Sequence, residues 1–169
     1  MSTGIQPEGK KKARGRKRRR KPRQEPVYYI VQIEAWDWSF SFGVNWSKHF
    51  SDPYMDFRHL LFTGRLLHPK AIKAEKAEIT LMPDVRLNED HRQQHKPMHV
   101  GSLNLHQGTL TALLSMPQDA LDTVMQMLTT DRFKYFIMTG DPLRYRQGIV
   151  KSYRLERELN KDDWLTDEG

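Results

Sequence analysis

Two long alternations of apolar and polar residues stand near the start of the chain. Odd-numbered positions are apolar over 27–35, and even-numbered positions are apolar over 36–46. A period of two is typical of a β-strand with one buried face. Because the parity reverses between Ala35 and Trp36, we expect a β-bulge there, or a corner where the chain passes from one sheet to another.

Two further strands are predicted downstream of this pair. Residues 57–67 are rich in apolar residues, and residues 76–82 alternate before Pro83. The stretch 84–99 is polar and has no period, so we expect an exposed loop.

The segment 103–112 predicts a hairpin whose register follows from the residue pattern. If residues 107–108 form a two-residue turn, Leu105 lies opposite Leu110. The next inward pair is then Leu103 with Ala112, so the apolar residues of both strands share one face.

One amphipathic helix is predicted over about 117–130, where an apolar stripe recurs at helical spacing after Pro117. A last hairpin follows, with one strand near 133–137, a turn at 140–142 and a return strand over 145–155. About eight strands and one helix predict a mainly β (α+β) fold, an antiparallel β-sandwich or barrel.

Composition narrows the class of protein. The chain has 169 residues, 37% of them hydrophobic, which suits one domain. It lacks cysteine, so disulfides and thiolate metal sites are excluded. No apolar run approaches the roughly 20 residues of a membrane helix. We expect a cytoplasmic protein, nucleoid-associated, or nuclear in a eukaryotic host.

The positive charge is concentrated in one segment. The net charge is +7, yet residues 1–26 alone carry +9, which leaves −2 for residues 27–169. Eleven Lys and Arg lie within fourteen positions: Lys10, Lys11, Lys12, Arg14, Arg16, Lys17, Arg18, Arg19, Arg20, Lys21 and Arg23. Such a segment buries too little apolar surface to fold alone. We therefore expect a disordered basic tail over 1–26, a β-rich domain over 27–160 and an acidic tail over 161–169.

The basic tail is expected to bind nucleic acid without base specificity, because Lys and Arg release counterions from phosphates. The competing interpretations of the tail are a nuclear import signal, a segment that binds an anionic membrane surface, and a passive solubility tail. Arg144 and Arg146 share one parity on the last hairpin with Lys134 and Arg154, and are candidates for an auxiliary phosphate contact.

The aromatic residues of the second alternation are expected mainly in the core. They are Trp36, Trp38, Phe40, Phe42 and Trp46. A platform for stacking bases is the alternative, although the residues between them are not cationic. If the whole row faced solvent, the apolar patch would require a partner.

No motif assigns an enzymatic reaction, a cofactor or a metal. His91, His95 and His99 recur every fourth residue, but Pro97 opposes the helix that would align them. An enzyme, either a hydrolase or a nucleic-acid-processing protein, remains an alternative if scattered residues converge. These are Asp37, Asp52, Asp56, His49, His59 and His68.

The preferred hypothesis is a non-enzymatic binding protein. Its basic tail contacts nucleic acid, and its β domain contacts a second partner, which we expect to be a protein. The other alternative is an adaptor or effector whose basic run is only a targeting signal.

Overall fold

The computed structural model describes residues 1, 25–46, 52–93, 96 and 99–160. Its strands are β1 (Val27–Val44), β2 (Tyr54–His68), β3 (Lys76–Asp84), β4 (Gly101–His106), β5 (Thr109–Pro117), β6 (Tyr135–Gly140) and β7 (Gln147–Glu156). Its helices are α1 (Glu89–Arg92) and α2 (Leu121–Thr129), each preceded by a short 3₁₀ turn, at Val85–Leu87 and at Gln118–Ala120. The mainly β expectation is confirmed.

The seven strands form one mixed sheet. Their hydrogen-bonded order is β1-β2-β3-β5-β4-β7-β6, and β6 pairs back with β1, so every strand has two neighbours. We call this the closed sheet. The expected antiparallel pairing holds for every neighbouring pair except β3 and β5, which run parallel because both run opposite to β4 and β5 lies between β3 and β4 in the sheet.

Seven strands are present in the described residues where about eight were expected. The two alternations over 27–35 and 36–46 form a single strand, β1, which continues through a register shift between Ile33 and Ala35. The expected bulge is therefore present at Glu34. It restores the apolar side chains to the same side of the strand after one extra residue.

The core consists of the inward side chains of the closed sheet. Fully buried members include Tyr29, Leu60, Phe62, Ile79, Leu81, Leu103, Leu114 and Phe136. The predicted helix is confirmed as α2 with its preceding 3₁₀ turn. Its apolar stripe packs on the core, and Leu128 is buried there.

The predicted hairpin register is also confirmed. Leu105 pairs with Leu110, and Leu103 pairs with Ala112. Both turn residues have positive φ, 46° for Gln107 and 77° for Gly108, as a two-residue turn with the twist of a hairpin requires.

Candidate functional site: an aromatic arm outside the closed sheet

β1 and β2 are longer than the sheet that contains them. β6 pairs with β1 only over Val27–Gln32, and β3 pairs with β2 only over Leu60–Arg65. Beyond these contacts, Asp37–Val44 pair only with Tyr54–Leu61 of β2 in the described residues, and of these β2 residues only Leu60 and Leu61 also pair with β3. We call this two-stranded ribbon the arm.

β1 stops pairing with β6 just before the bulge, and the arm follows a few residues later. The N–H of Ile33 donates to the carbonyl of Lys134 at 2.9 Å, the last contact of β1 with the segment that leads into β6. Ile33 lies opposite Gly64 of β2, and the backbones approach so closely there that a Cβ on Gly64 would overlap the carbonyl oxygen of Gln32. β1 therefore leaves the closed sheet at a tightly packed point.

One face of the arm continues the core face of the closed sheet. The directly opposed pairs, which we call rungs, are Trp36 with Phe62, Trp38 with Leu60, Phe40 with Arg58, Phe42 with Asp56, and Val44 with Tyr54. We call the exposed part of this face, from Trp38 to Val44 and from Tyr54 to Arg58, the aromatic face. Phe62 exposes 1% of its surface, whereas Trp38 exposes 50% and Phe42 exposes 65%.

The expectation that the aromatic row packs in the core is therefore wrong beyond its first residue. Trp36 packs against the core, but Trp38, Phe40, Phe42 and Trp46 are exposed. The closed sheet ends near Leu60, so the same alternating face has no opposing strands farther out.

The aromatic face is organised by contacts of its own. The rings of Phe42 and Tyr54 stack with centroids 5.5 Å apart. The Arg58 guanidinium lies over the Phe40 ring at 5.6 Å and forms an ion pair with Asp56 at 2.5 Å. The charge of Arg58 is thus balanced within the face.

The opposite face of the arm is more mixed. Ser39 and Ser41 of β1 lie opposite His59 and Phe57 of β2, and Met55 follows at the next rung. Phe57 and Met55 are both exposed, and the Phe57 and His59 rings lie 5.2 Å apart. Beside the small Ser39 and Ser41, this face exposes the large side chains of Met55 and Phe57, and these do not form a continuous aromatic row.

The charge of the arm does not favour phosphate. Over the described residues 37–46 and 52–59, Arg58 stands against three carboxylates, those of Asp37, Asp52 and Asp56. Single-strand binders combine aromatic platforms with a positively charged groove. Among its described residues, the arm therefore lacks the positively charged groove of such binders.

The candidate arginines of the last hairpin lie in a turn, not on a strand. β7 begins at Gln147 instead of 145, and Arg144 exchanges backbone hydrogen bonds with Gln147 at 2.8 and 2.9 Å. Tyr145 and Arg146 occupy the turn with φ of 51° and 67°. The shared parity expected from strand alternation therefore does not apply to this pair.

The other members of the expected basic face are neutralised. Lys134 lies 3.7 Å from Asp131, and Arg154 lies 3.3 Å from Glu156. Arg146 is exposed and lies in the turn, so it remains the better candidate for an anion contact.

In the sequence, the basic residues precede β1, whereas the arm contains the other end of β1. The eleven basic residues fall outside the described part of the chain, as does 161–169, so the tail boundaries remain predictions. Val27 pairs with Gly140 near the Arg146 turn. Val44 lies 17 residues farther along an extended strand, which corresponds to roughly 55 Å.

The described residues of the proposed enzyme site lie at separate places on β1 and β2. Asp56 and His59 lie on opposite faces of the arm, and His68 lies at the far end of β2, opposite Ile30. His49 and His95 are outside the described residues. Within the described ranges, no three His, Asp or Glu side chains are placed to hold a metal ion.

Sequence reasoning missed the contribution of β2 to the aromatic face. The strand expected from residue 57 begins at Tyr54, which adds a stacked ring opposite Val44. The signal that could have revealed the arm was the length of the alternation near the start of the chain. An alternation of 20 residues exceeds the 3–10 that strands of compact domains usually have, and thus indicates a ribbon that projects.

Comparisons with family models, with curated proteins and with solved structures give no match. Across the described residues, no helix has the length and apolar character needed to cross a bilayer.

Proposed function

We propose that this protein is a non-enzymatic, nucleic-acid-associated binding protein. The closed sheet acts as a small rigid barrel with two separate contacts at its ends. The basic tail contacts phosphates, and the aromatic face of the arm contacts a protein. The observation that carries the proposal is the aromatic face, which is exposed and lies at the end of β1 away from the tail.

The separation supports a division of labour. Aromatic residues are enriched in the buried centres of protein interfaces, whereas polycations suit polyanions. The arm has the first character and the tail the second. The proposed setting is the cytoplasm, at the nucleoid, or the nucleus of a eukaryotic host.

The tail's contribution is tested by salt titration of nucleic-acid binding. If six to ten tail charges meet duplex phosphates, affinity falls by roughly three to five orders of magnitude between 50 and 200 mM salt. A full-length variant with Gln at all eleven basic positions should lose this binding and most of the salt slope. Equal binding by the two proteins would favour the adaptor alternative, in which the basic run is only an address.

Arg146 is tested in the same assay. Arg146→Gln should lower the salt slope by about one if the turn contacts a phosphate. Arg154→Gln is the matched control, because Arg154 is already paired with Glu156. Equal effects of the two substitutions would remove the turn from the proposed interface.

A further inference from the structure

The aromatic face is self-complementary along its length. From the base to the tip, its β1 column reads Trp38, Phe40, Phe42, Val44, and its β2 column reads Arg58, Asp56, Tyr54, with the buried Leu60 opposite Trp38 at the base. We propose that the arms of two copies of this chain pack with their aromatic faces together, in opposite directions. This inference rests on the proposed function and names a second copy as the protein partner.

The symmetry axis of the pair follows from the rungs. A two-fold axis that lies in the interface, perpendicular to the strands and midway between the Phe40–Arg58 and Phe42–Asp56 rungs, reverses the order of each column. Phe40 then faces Phe42 of the second copy. Trp38, the largest side chain of the face, faces Val44, the smallest on β1. Such an isologous contact is the commonest arrangement of soluble oligomers.

Charge selects this direction. In the antiparallel arrangement, Arg58 faces Asp56 of the second copy, and the contact occurs twice. In a parallel arrangement about an axis along the strands, no opposite charges would meet. Arg58 would face the Phe40 ring of the second copy, and the Asp56 carboxylate would face the Phe42 ring, whose face carries partial negative charge. The one Arg and the one Asp of the aromatic face therefore favour the antiparallel pair.

The area suits a specific but modest interface. Aromatic side chains present about 150–250 Å² each, and those of this face are half to two-thirds exposed, so each arm offers on the order of 500 Å². Two arms together reach about 1,000 Å², the lower bound for a specific interface. We therefore expect a dimer that dissociates on dilution.

Antiparallel arms place the two closed sheets at opposite ends of the dimer. The start of each β1, next to residues 1–26, then lies at the outer end of its own subunit. One particle would carry two basic tails, and the second tail would bind polyanion with a raised effective concentration.

The experiment is sedimentation velocity of the full-length protein, free of nucleic acid and in high salt, over a wide concentration series. We expect a monomer–dimer equilibrium. Phe40→Ser with Phe42→Ser should weaken the dimer about 30-fold or more, as loss of central anchors does. The matched control is Met55→Ser with Phe57→Ser, on the opposite face of the arm at the adjacent Gly43–Met55 and Ser41–Phe57 pairs and exposed to a similar degree. It should leave dimerisation unchanged.

A charge exchange tests the direction of packing. Asp56→Arg and Arg58→Asp should each weaken the dimer, because each places like charges together across the axis. The double variant should restore it, since the reciprocal contacts are then re-formed with the signs exchanged. Failure of the double variant to restore the dimer would reject the antiparallel register.

Other outcomes overturn the inference and leave the proposed function to its own test. The arm dimer is rejected if the protein stays monomeric throughout, or if the Phe40/Phe42 variant dimerises normally. The salt titration remains an independent test of nucleic-acid binding by the tail. A monomeric protein that loses single-stranded oligonucleotide binding with the same two substitutions would identify the face as a stacking surface. Conversely, a dimer with salt-independent nucleic-acid binding would keep the interface and reject the proposed function.

Discussion

Phe62 and Phe42 occupy the same face of the β1–β2 pair, yet their environments are opposite. Phe62 lies within the closed sheet and meets Phe136 edge to face, with ring centroids 5.3 Å apart. Phe42 lies on the arm, where its ring contact is with Tyr54 of the same ribbon. Beyond the bulge, the even-numbered side chains of β1 and β2 form one continuous face that contains both residues. Whether such a residue becomes core or interface therefore depends on which strands lie across from it.

The backbone shows the same contrast. Within the closed sheet, β1 has β2 on one side and β6 on the other. Along the arm, one side of each strand has no neighbouring strand among the described residues. Exposed edges and exposed aromatic rings both favour association with another chain.

The largest expected effect is the difference in stability between truncating Phe62 and truncating Phe42. Phe62→Ala should destabilise the protein by about 3–5 kcal/mol, because it removes a buried ring from the core. Phe42→Ala should change stability by no more than about 0.5 kcal/mol. Urea unfolding at a concentration low enough for a monomer measures both. A comparable loss for Phe42→Ala would mean that the arm packs on the closed sheet.

A smaller difference in stability is expected between alanine substitutions at two glycines of the β1–β2 pair. Gly64→Ala should cost about 1–3 kcal/mol, since the new Cβ meets the backbone of Gln32 at the bulge. Gly43→Ala in the arm is the control, because no atom lies within 4 Å of its added Cβ. Thermal unfolding of the two variants makes the comparison. Equal stability would indicate that the bulge relaxes freely.

The last expected effect is absent at neutral pH and is confined to alkaline pH. Burial raises the pKa of Tyr29 and of Tyr153 to about 12, from an ordinary value of 10.0. The unfolded chain then releases these protons first, so stability is complete below pH 10 and declines as the pH rises from 10 to 12. Tyr153→Phe should flatten this decline, whereas Phe42→Ala should not alter it. Denaturant unfolding across that pH range provides the measurement.

Much of the closed sheet was predictable because its signals are local. The turn at Gln107–Gly108 determines its hairpin register, and the parity reversal at Ala35 and Trp36 indicates the bulge. The stripe of α2 likewise requires only helical spacing. The parallel pairing of β3 with β5 was missed, because no turn links these strands and the contact joins distant parts of the chain.

The candidate site was predictable only in its residue types. The aromatic row was identified, but its exposure was not, since alternation reports which side chains share a face and not what covers that face. Arg146 was identified as a basic residue of the last hairpin. Its position in the turn depends on positive φ at Tyr145 and Arg146, and neither residue type signals that conformation.

The sequence by itself determined that this chain is mainly β and that its positive charge is separated from its apolar residues. It also determined where the parity of β1 changes. These properties depend on neighbours along the chain. Only the tertiary structure decided that the pairing of β2 with β3 ends at Leu60 and leaves Trp38, Phe40 and Phe42 exposed. The reason is that burial depends on strands brought together from distant positions, and no local pattern shows where they end.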